Sequence, residues 1–252
     1  MRTLDGVSRE ALSTLAARRV FFGHQSVGGN IVDGLIELGR NRPAAALKVI
    51  GLEEVGAEPG GFFAHAKIGR NGRPDSKTDA FAVLIDEGLR SRLDVAFHKY
   101  CYADISEQTE VRPIFEHYRQ TMARLRAAHP GITFVHVTTP LMAVQSGPKA
   151  AVKKLLGRPP DHYLADFRRE RFNDLLRREY SGKEPLFDLA AIESTDDRGA
   201  PVAIAFGGES GRALFAPLTS DGGHLNAAGR RRVAENLLAF LAELPVAGRA
   251  GR

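Results

Sequence analysis

The sequence predicts an α/β fold, a mostly parallel sheet of about five strands with helices on both faces, and three observations point there. Short apolar runs alternate with amphipathic helical patterns along the chain. Those runs are apolar throughout rather than at every second residue, as in strands buried on both faces. And 252 residues with 43% hydrophobic and 26% charged side chains suffice for one large domain with a substantial core.

In chain order, Ser8 is placed to cap a helix over 8–18, with Leu12 and Leu15 inward. Residues 19–23 (RVFFG) form a buried strand, and Gln25-Ser26-Val27-Gly28-Gly29 turns the chain into a helix reaching about Gly39. A second strand covers 47–52. Residues 53–76 form a Gly- and Pro-containing connection too long to be idle in a compact domain. A helix from about Ser76 to Arg90 leads to a strand at 94–101 (DVAFHKYC), and a helix over 110–128 ends before Pro130. Residues 132–138 (ITFVHVT) form the fourth strand, 139–160 an irregular segment, and 161–180 a strongly charged helix. The fifth strand is expected at 186–191, a loop with a small hairpin at 194–220, and a closing helix at 227–244. One domain therefore spans 1–244, and 245–252 is expected to be a frayed tail.

Charge and cysteine content exclude several classes. The net charge is +5 and the pI about 9.5, but much of the excess is arginine in helices, with no basic stripe interleaved with aromatics. No nucleic-acid partner is expected; a solvated surface or an anionic substrate accounts for the charge. The one cysteine, Cys101, permits neither an internal disulfide nor a thiolate cluster, and in an apolar strand it reads as buried and inert. Metal motifs such as H-E-x-x-H are absent, so no metal is expected, and GHQSVGGN fits neither a phosphate-binding loop nor a dinucleotide fingerprint. The N-terminus lacks the apolar core of a secretory signal and no stretch reaches about 20 apolar residues, so a cytoplasmic protein without a membrane partner is expected.

Two segments carry chemistry. Ser26 follows a buried strand and opens a helix, where backbone N–H groups and the positive helix end can stabilise an oxyanion, while Gly28 and Gly29 leave space beside it. A plain helix cap is the competing reading. In SDGGHLNAAG, before the last helix, Asp221 and His224 stand three apart. A serine hydroxyl needs a base, the base needs a carboxylate to fix its tautomer, and a turn through Gly222-Gly223 can fold Asp221 back onto the ring. Capping and turn roles again compete.

Together these segments resemble the SGNH (GDSL-type) hydrolase superfamily, in motifs and element order from Val20 to Leu241. Gly23-His24-Gln25-Ser26 is similar to the family's first block and Asp221/His224 to its last. The resemblance implies a flavodoxin-like three-layer α/β/α fold, a catalytic triad of Ser26, His224 and Asp221, and no cofactor. Gln25 replaces the aspartate before the family's serine. Where the family's third block supplies an oxyanion-binding asparagine, this chain has Lys99-Tyr100-Cys101-Tyr102-Ala103-Asp104. Lys99 and Asn71 are candidates to replace that donor, Gly69 or Gly72 to occupy the second-block glycine position, and His24 and Gln25 to contact the oxyanion or substrate. The implied activity is hydrolysis of an ester, such as a short acyl group on a carbohydrate-like alcohol, with the 53–76 and 139–160 segments over the cleft. The alternatives are acyl transfer through the same triad and a non-catalytic carbohydrate-binding protein. The motifs specify neither the acyl chain nor the oligomeric state.

Overall fold

A computed structural model describes residues 3–89 and 92–245. Its centre is a six-stranded, wholly parallel sheet in the order β2-β3-β1-β4-β5-β6. The strands are β1 (Arg19–His24), β2 (Val49–Gly51), β3 (Phe62–Lys67), β4 (Val95–His98), β5 (Thr133–Val137) and β6 (Leu186–Phe187). The sheet thus has six strands rather than about five. The additional one, β3, lies inside the segment read as a connection and pairs with β1 over its whole length, from Arg19↔Phe62 to His24↔Lys67.

The side-chain period of two divides the core into halves. Val20, Phe22, Phe63 and Phe97 point to one face, and Phe21, Phe62, Ala64, Ala96 and Phe134 to the other. The first face is covered by α1 (Arg9–Ala16), α2 (Val27–Asn41), α7 (Leu189–Glu193) and α8 (Ala227–Ala242). The second is covered by α3 (Pro74–Leu84), which continues in a π-helical turn to Leu89, by α4 (Val111–Ala128) and by α6 (Tyr163–Tyr180). The result is the α/β/α sandwich that both-face burial of the strands demands.

Three further elements depart from the sequence expectation. The fifth expected strand stops at Phe187, because the Asp188 carboxylate accepts the Ala191 N–H at 3.1 Å and starts α7. The irregular 139–160 segment contains a short helix, α5 (Gly147–Leu155). The hairpin expected within 194–220 is formed by β7 (Ala203–Phe206) and β8 (Glu209–Arg212) around Gly207-Gly208. At the far end the buried Arg18 guanidinium donates to the Leu241 and Leu244 carbonyls (3.3 and 2.6 Å), satisfying the last turn of α8. Arg90, the expected end of its helix, and 246–252 of the expected frayed tail lie outside the described residues.

From β1 the chain moves out to β2 at the sheet edge, returns to β3 between β2 and β1, and then crosses to β4 on the other side of β1. Such a reversal opens a crevice at the carboxyl ends of the two strands flanking it, here β1 and β4.

Candidate active site

Ser26 lies two residues beyond β1, at the lip of that crevice. Its backbone has φ 31° and ψ −99°, a conformation that non-glycine residues rarely adopt and that tertiary contacts must hold. Its side chain makes no capping bond to α2. Instead Ser26 Oγ is 2.5 Å from His224 Nε2, across 198 residues of sequence. The plain helix cap is therefore not what this serine does.

The His224 ring is oriented from its other nitrogen. Nδ1 is 2.7 Å from Asp221 Oδ2, while Asp221 Oδ1 accepts the Gly223 and His224 N–H groups at 2.9 and 2.8 Å. These bonds, the Gly223 amide first and the His224 ring next, hold the Asp221 carboxyl far below the ordinary carboxylate range. An ionised Asp221 only accepts, so Nδ1 carries the proton and Nε2 is left to accept from the serine hydroxyl. The turn that permits this uses Gly222 at φ +92°, a left-handed conformation suited to glycine. Two outside bonds fix the loop: Leu225 N–H donates to Asn30 Oδ1 of α2 (3.1 Å), and Ala143 N–H donates to the Gly222 carbonyl (2.8 Å). The Asp221 and His224 side chains remain 57% and 44% exposed, so water reaches the imidazole.

The loop after β3 forms the next wall. Gln25 Nε2 donates to the Ile68 and Gly69 carbonyls (3.1 and 3.0 Å), tying the Ser26 turn to this loop. Gly69 has φ +59°, and a Cβ there would lie 2.6 Å from the Lys77 backbone nitrogen. Neither the Ser26 nor the Gly69 N–H has an acceptor among the described residues. Below them Asp104 accepts the Gly72 and Cys101 N–H groups (2.9 and 2.6 Å) and pairs with the fully buried Lys77.

The remaining sequence candidates lie elsewhere. Asn71 Oδ1 accepts from Lys77 Nζ at 3.0 Å, and none of its contacts is with Ser26 or His224. Lys99 is 1% exposed, donates to the Tyr100 carbonyl, and has its pKa lowered by burial, so its ammonium underlies the site instead of entering the cleft. His24 is equally buried; its Nε2 faces His65 Nδ1 at 3.1 Å and burial depresses its pKa to about 3, so it offers nothing to a substrate. Gly28 does not clear space for a ligand: a Cβ there would fall 2.2 Å from the His24 Cβ, so this glycine admits α2 against β1. Gly29 does face open space.

Tyr102, which the sequence did not single out, also reaches His224. Its hydroxyl is 3.5 Å from His224 Nε2, and burial raises its pKa against an opposing contact with the Ser26 hydroxyl. Its ring packs on Gly223, where a Cβ would lie 2.9 Å from the ring carbons. Arg169, paired with the buried Asp166, donates to the Tyr102 carbonyl at 2.9 Å. Beside Tyr102 opens a cavity of about 440 Å³ whose lining includes Ser106, Gln108, His162 and Arg169.

No protein-family model and no curated protein matches the chain. Among solved structures, a lipase/acylhydrolase from Enterococcus faecalis superimposes with a TM-score of 0.50 at 11% identity, over 89% of this chain and 95% of that one. The chain has the SGNH hydrolase fold. Two other structures with this fold score lower: the lipase Lip_vut3 from a goat rumen metagenome (TM-score 0.47, 12% identity, 88% and 96% covered) and the periplasmic domain of a lipopolysaccharide acetyltransferase from Salmonella ser. Paratyphi A (0.48, 12%, 90% and 86%). The loop bearing Gly69 follows β3, the strand beside β1, and the segment after β4 brings the Tyr102 hydroxyl to His224.

Proposed function

We propose that this SGNH-fold protein is a serine ester hydrolase. The observation that carries the reading is the unbroken relay from Ser26 Oγ through His224 Nε2 and Nδ1 to Asp221 Oδ2, at 2.5 and 2.7 Å. In the first half-reaction the Ser26 hydroxyl proton passes to His224 Nε2 as Oγ bonds to the ester carbonyl carbon. The Ser26 and Gly69 N–H groups are the backbone donors proposed for the resulting oxyanion. The Tyr102 hydroxyl stands in for the family's asparagine. Collapse breaks the ester C–O bond, and His224 returns its proton to the departing alcohol. Water then adds to the acyl-serine, gives a proton to His224, and releases the carboxylic acid as that proton returns to Ser26 Oγ.

The solvent-exposed base favours water over a second alcohol as acceptor, hence hydrolysis over acyl transfer. A purely binding role would leave Ser26 and His224 with no reason to adopt this geometry. The hydroxyl, carboxamide, imidazole and guanidinium groups around the cavity beside Tyr102 suit a polyhydroxyl alcohol, so we assign the substrate as a short acyl ester of a sugar-like alcohol.

Hydrolysis of p-nitrophenyl acetate, butyrate and octanoate by wild type, Ser26→Ala and His224→Ala tests this. Acetate should turn over fastest, and both variants should fall to background. Equal rates for wild type and Ser26→Ala on all three esters would refute the hydrolase.

A further inference from the structure

The exposed apolar side chains of this protein are concentrated on one short helix. Among the described residues four large hydrophobic side chains are exposed, and three of them, Val152 (55%), Leu155 (87%) and Leu156 (65%), belong to α5 and its cap. The spacing i, i+3, i+4 puts them on one face with the exposed Pro148. The opposite face packs inward through Ala150, and Lys154 lies over the Tyr163 ring (5.0 Å).

This helix is the tip of an excursion rooted in the active site. Gln145 N–H donates to the Asp161 carbonyl at 3.3 Å, closing 145–161 at its base. Just before that base Ala143 holds the Gly222 carbonyl of the catalytic loop, and just after it His162 lines the cavity beside Tyr102. Its charge has one sign. From Thr138 to Pro160 the chain carries Lys149, Lys153, Lys154 and Arg158 and no acidic residue; Asp161, at the base, pairs with Lys153 at 2.7 Å.

We propose that α5 docks the enzyme on an anionic amphiphile surface, inserting Val152, Leu155 and Leu156 while Lys149 and Arg158 meet acidic headgroups. Three features select this occupant. The apolar side chains project from a convex tip, which enters a fluid interface and does not form a groove for a peptide. The cations complement an anionic layer and repel a symmetry-related copy of the same helix. The root of the excursion places the lipid surface beside Tyr102 and His224. Expecting no membrane partner rested on the lack of a spanning segment, and peripheral docking needs none. Resting on the hydrolase reading, the inference narrows the substrate to an ester borne by the headgroup of an anionic amphiphile.

Docking is measured without turnover by co-sedimenting full-length Ser26→Ala protein with vesicles of phosphatidylcholine alone or mixed with phosphatidylglycerol at about 7:3. Binding is expected to the mixed vesicles only. Adding Leu155→Ser/Leu156→Ser, which leaves charge unchanged, should weaken it by about tenfold or more. Adding Lys149→Gln/Arg158→Gln should weaken it by about fivefold per cation. Arg40→Gln/Arg112→Gln, removing two exposed cations elsewhere, is the control and should retain binding. No binding to the mixed vesicles overturns the proposal. So does binding that ignores the leucines and falls equally in the control, which is adsorption by net charge. A dimer in solution that dissolves on Leu155→Ser/Leu156→Ser also overturns it, since the helix then meets a second copy. Vesicle binding by Ser26→Ala together with wild type inert on every ester sinks the hydrolase alone; ester turnover without vesicle binding sinks only the docking.

Discussion

At the scale of single residues, Tyr102 carries the sharpest expectation. If its hydroxyl supplies the oxyanion donor that the family takes from asparagine, Tyr102→Phe lowers kcat by about 10²–10³ with little change in KM. Steady-state kinetics on p-nitrophenyl acetate would show it, and an unchanged kcat would remove Tyr102 from the chemistry. Asp221→Asn should lower kcat by about 10²–10⁴, because an amide at Oδ2 favours the wrong imidazole tautomer. Ser26, His224 and Asp221 were legible because each stands at a place where a strand or turn hands over to a helix. Tyr102 was not. It is one of several polar residues in the stretch Lys99–Asp104, and only the packing of its ring on Gly223 brings its hydroxyl to His224.

Among the elements, α2 begins directly after Ser26, and its first two glycines have opposite demands. Gly28→Ala drives a methyl into His24 and should destabilise the protein by about 1–3 kcal/mol while displacing Ser26. Gly29→Ala meets nothing within 4 Å and should be neutral or stabilising by up to about 1 kcal/mol. Urea midpoints measured beside kcat separate the two; similar effects would mean that α2 does not sit on His24. Strands β1, β4 and β5 were readable as apolar runs. β3 was hidden by the Gly60-Gly61 pair before it and by His65 and Lys67 at its end, which made six sheet residues look like loop. α5 was hidden by the Gly147-Pro148 and Pro159-Pro160 that bracket it.

For the molecule as a whole, the sheet buries ionisable groups whose titrations pull in opposite directions. Burial depresses His24 and His98 to about 3, so the unfolded chain binds protons that the folded one refuses. Their stabilising contribution, whole above pH about 6.5, is lost as pH falls towards 3. Burial raises Asp166 to about 7 and Glu193 to about 8, and their contribution is lost as pH rises through those values. Stability should thus decline on both sides of a maximum. His98 has no partner for either ring nitrogen among the described residues and is surrounded by Phe81, Tyr100 and Tyr118. His98→Phe should stabilise by about 1–3 kcal/mol and flatten the acid limb. Glu193→Gln keeps an acceptor for the Leu141 N–H and should flatten the alkaline limb. Thermal unfolding from pH 4 to 9 decides both, and parallel curves for variant and wild type would refute the assignment. None of this was visible in the sequence, where His98 and Glu193 look like any strand and loop residues.

The separation of 198 residues between Ser26 and His224 has a consequence during synthesis. A ribosome adding about 5–20 residues per second delivers Ser26 some 10–40 s before His224 exists. Throughout that interval the nascent chain holds a serine without its base. In the proposed hydrolase its hydroxyl gains a base only when α8 docks on α2 and brings the imidazole into reach, so the docking of these two helices completes the site.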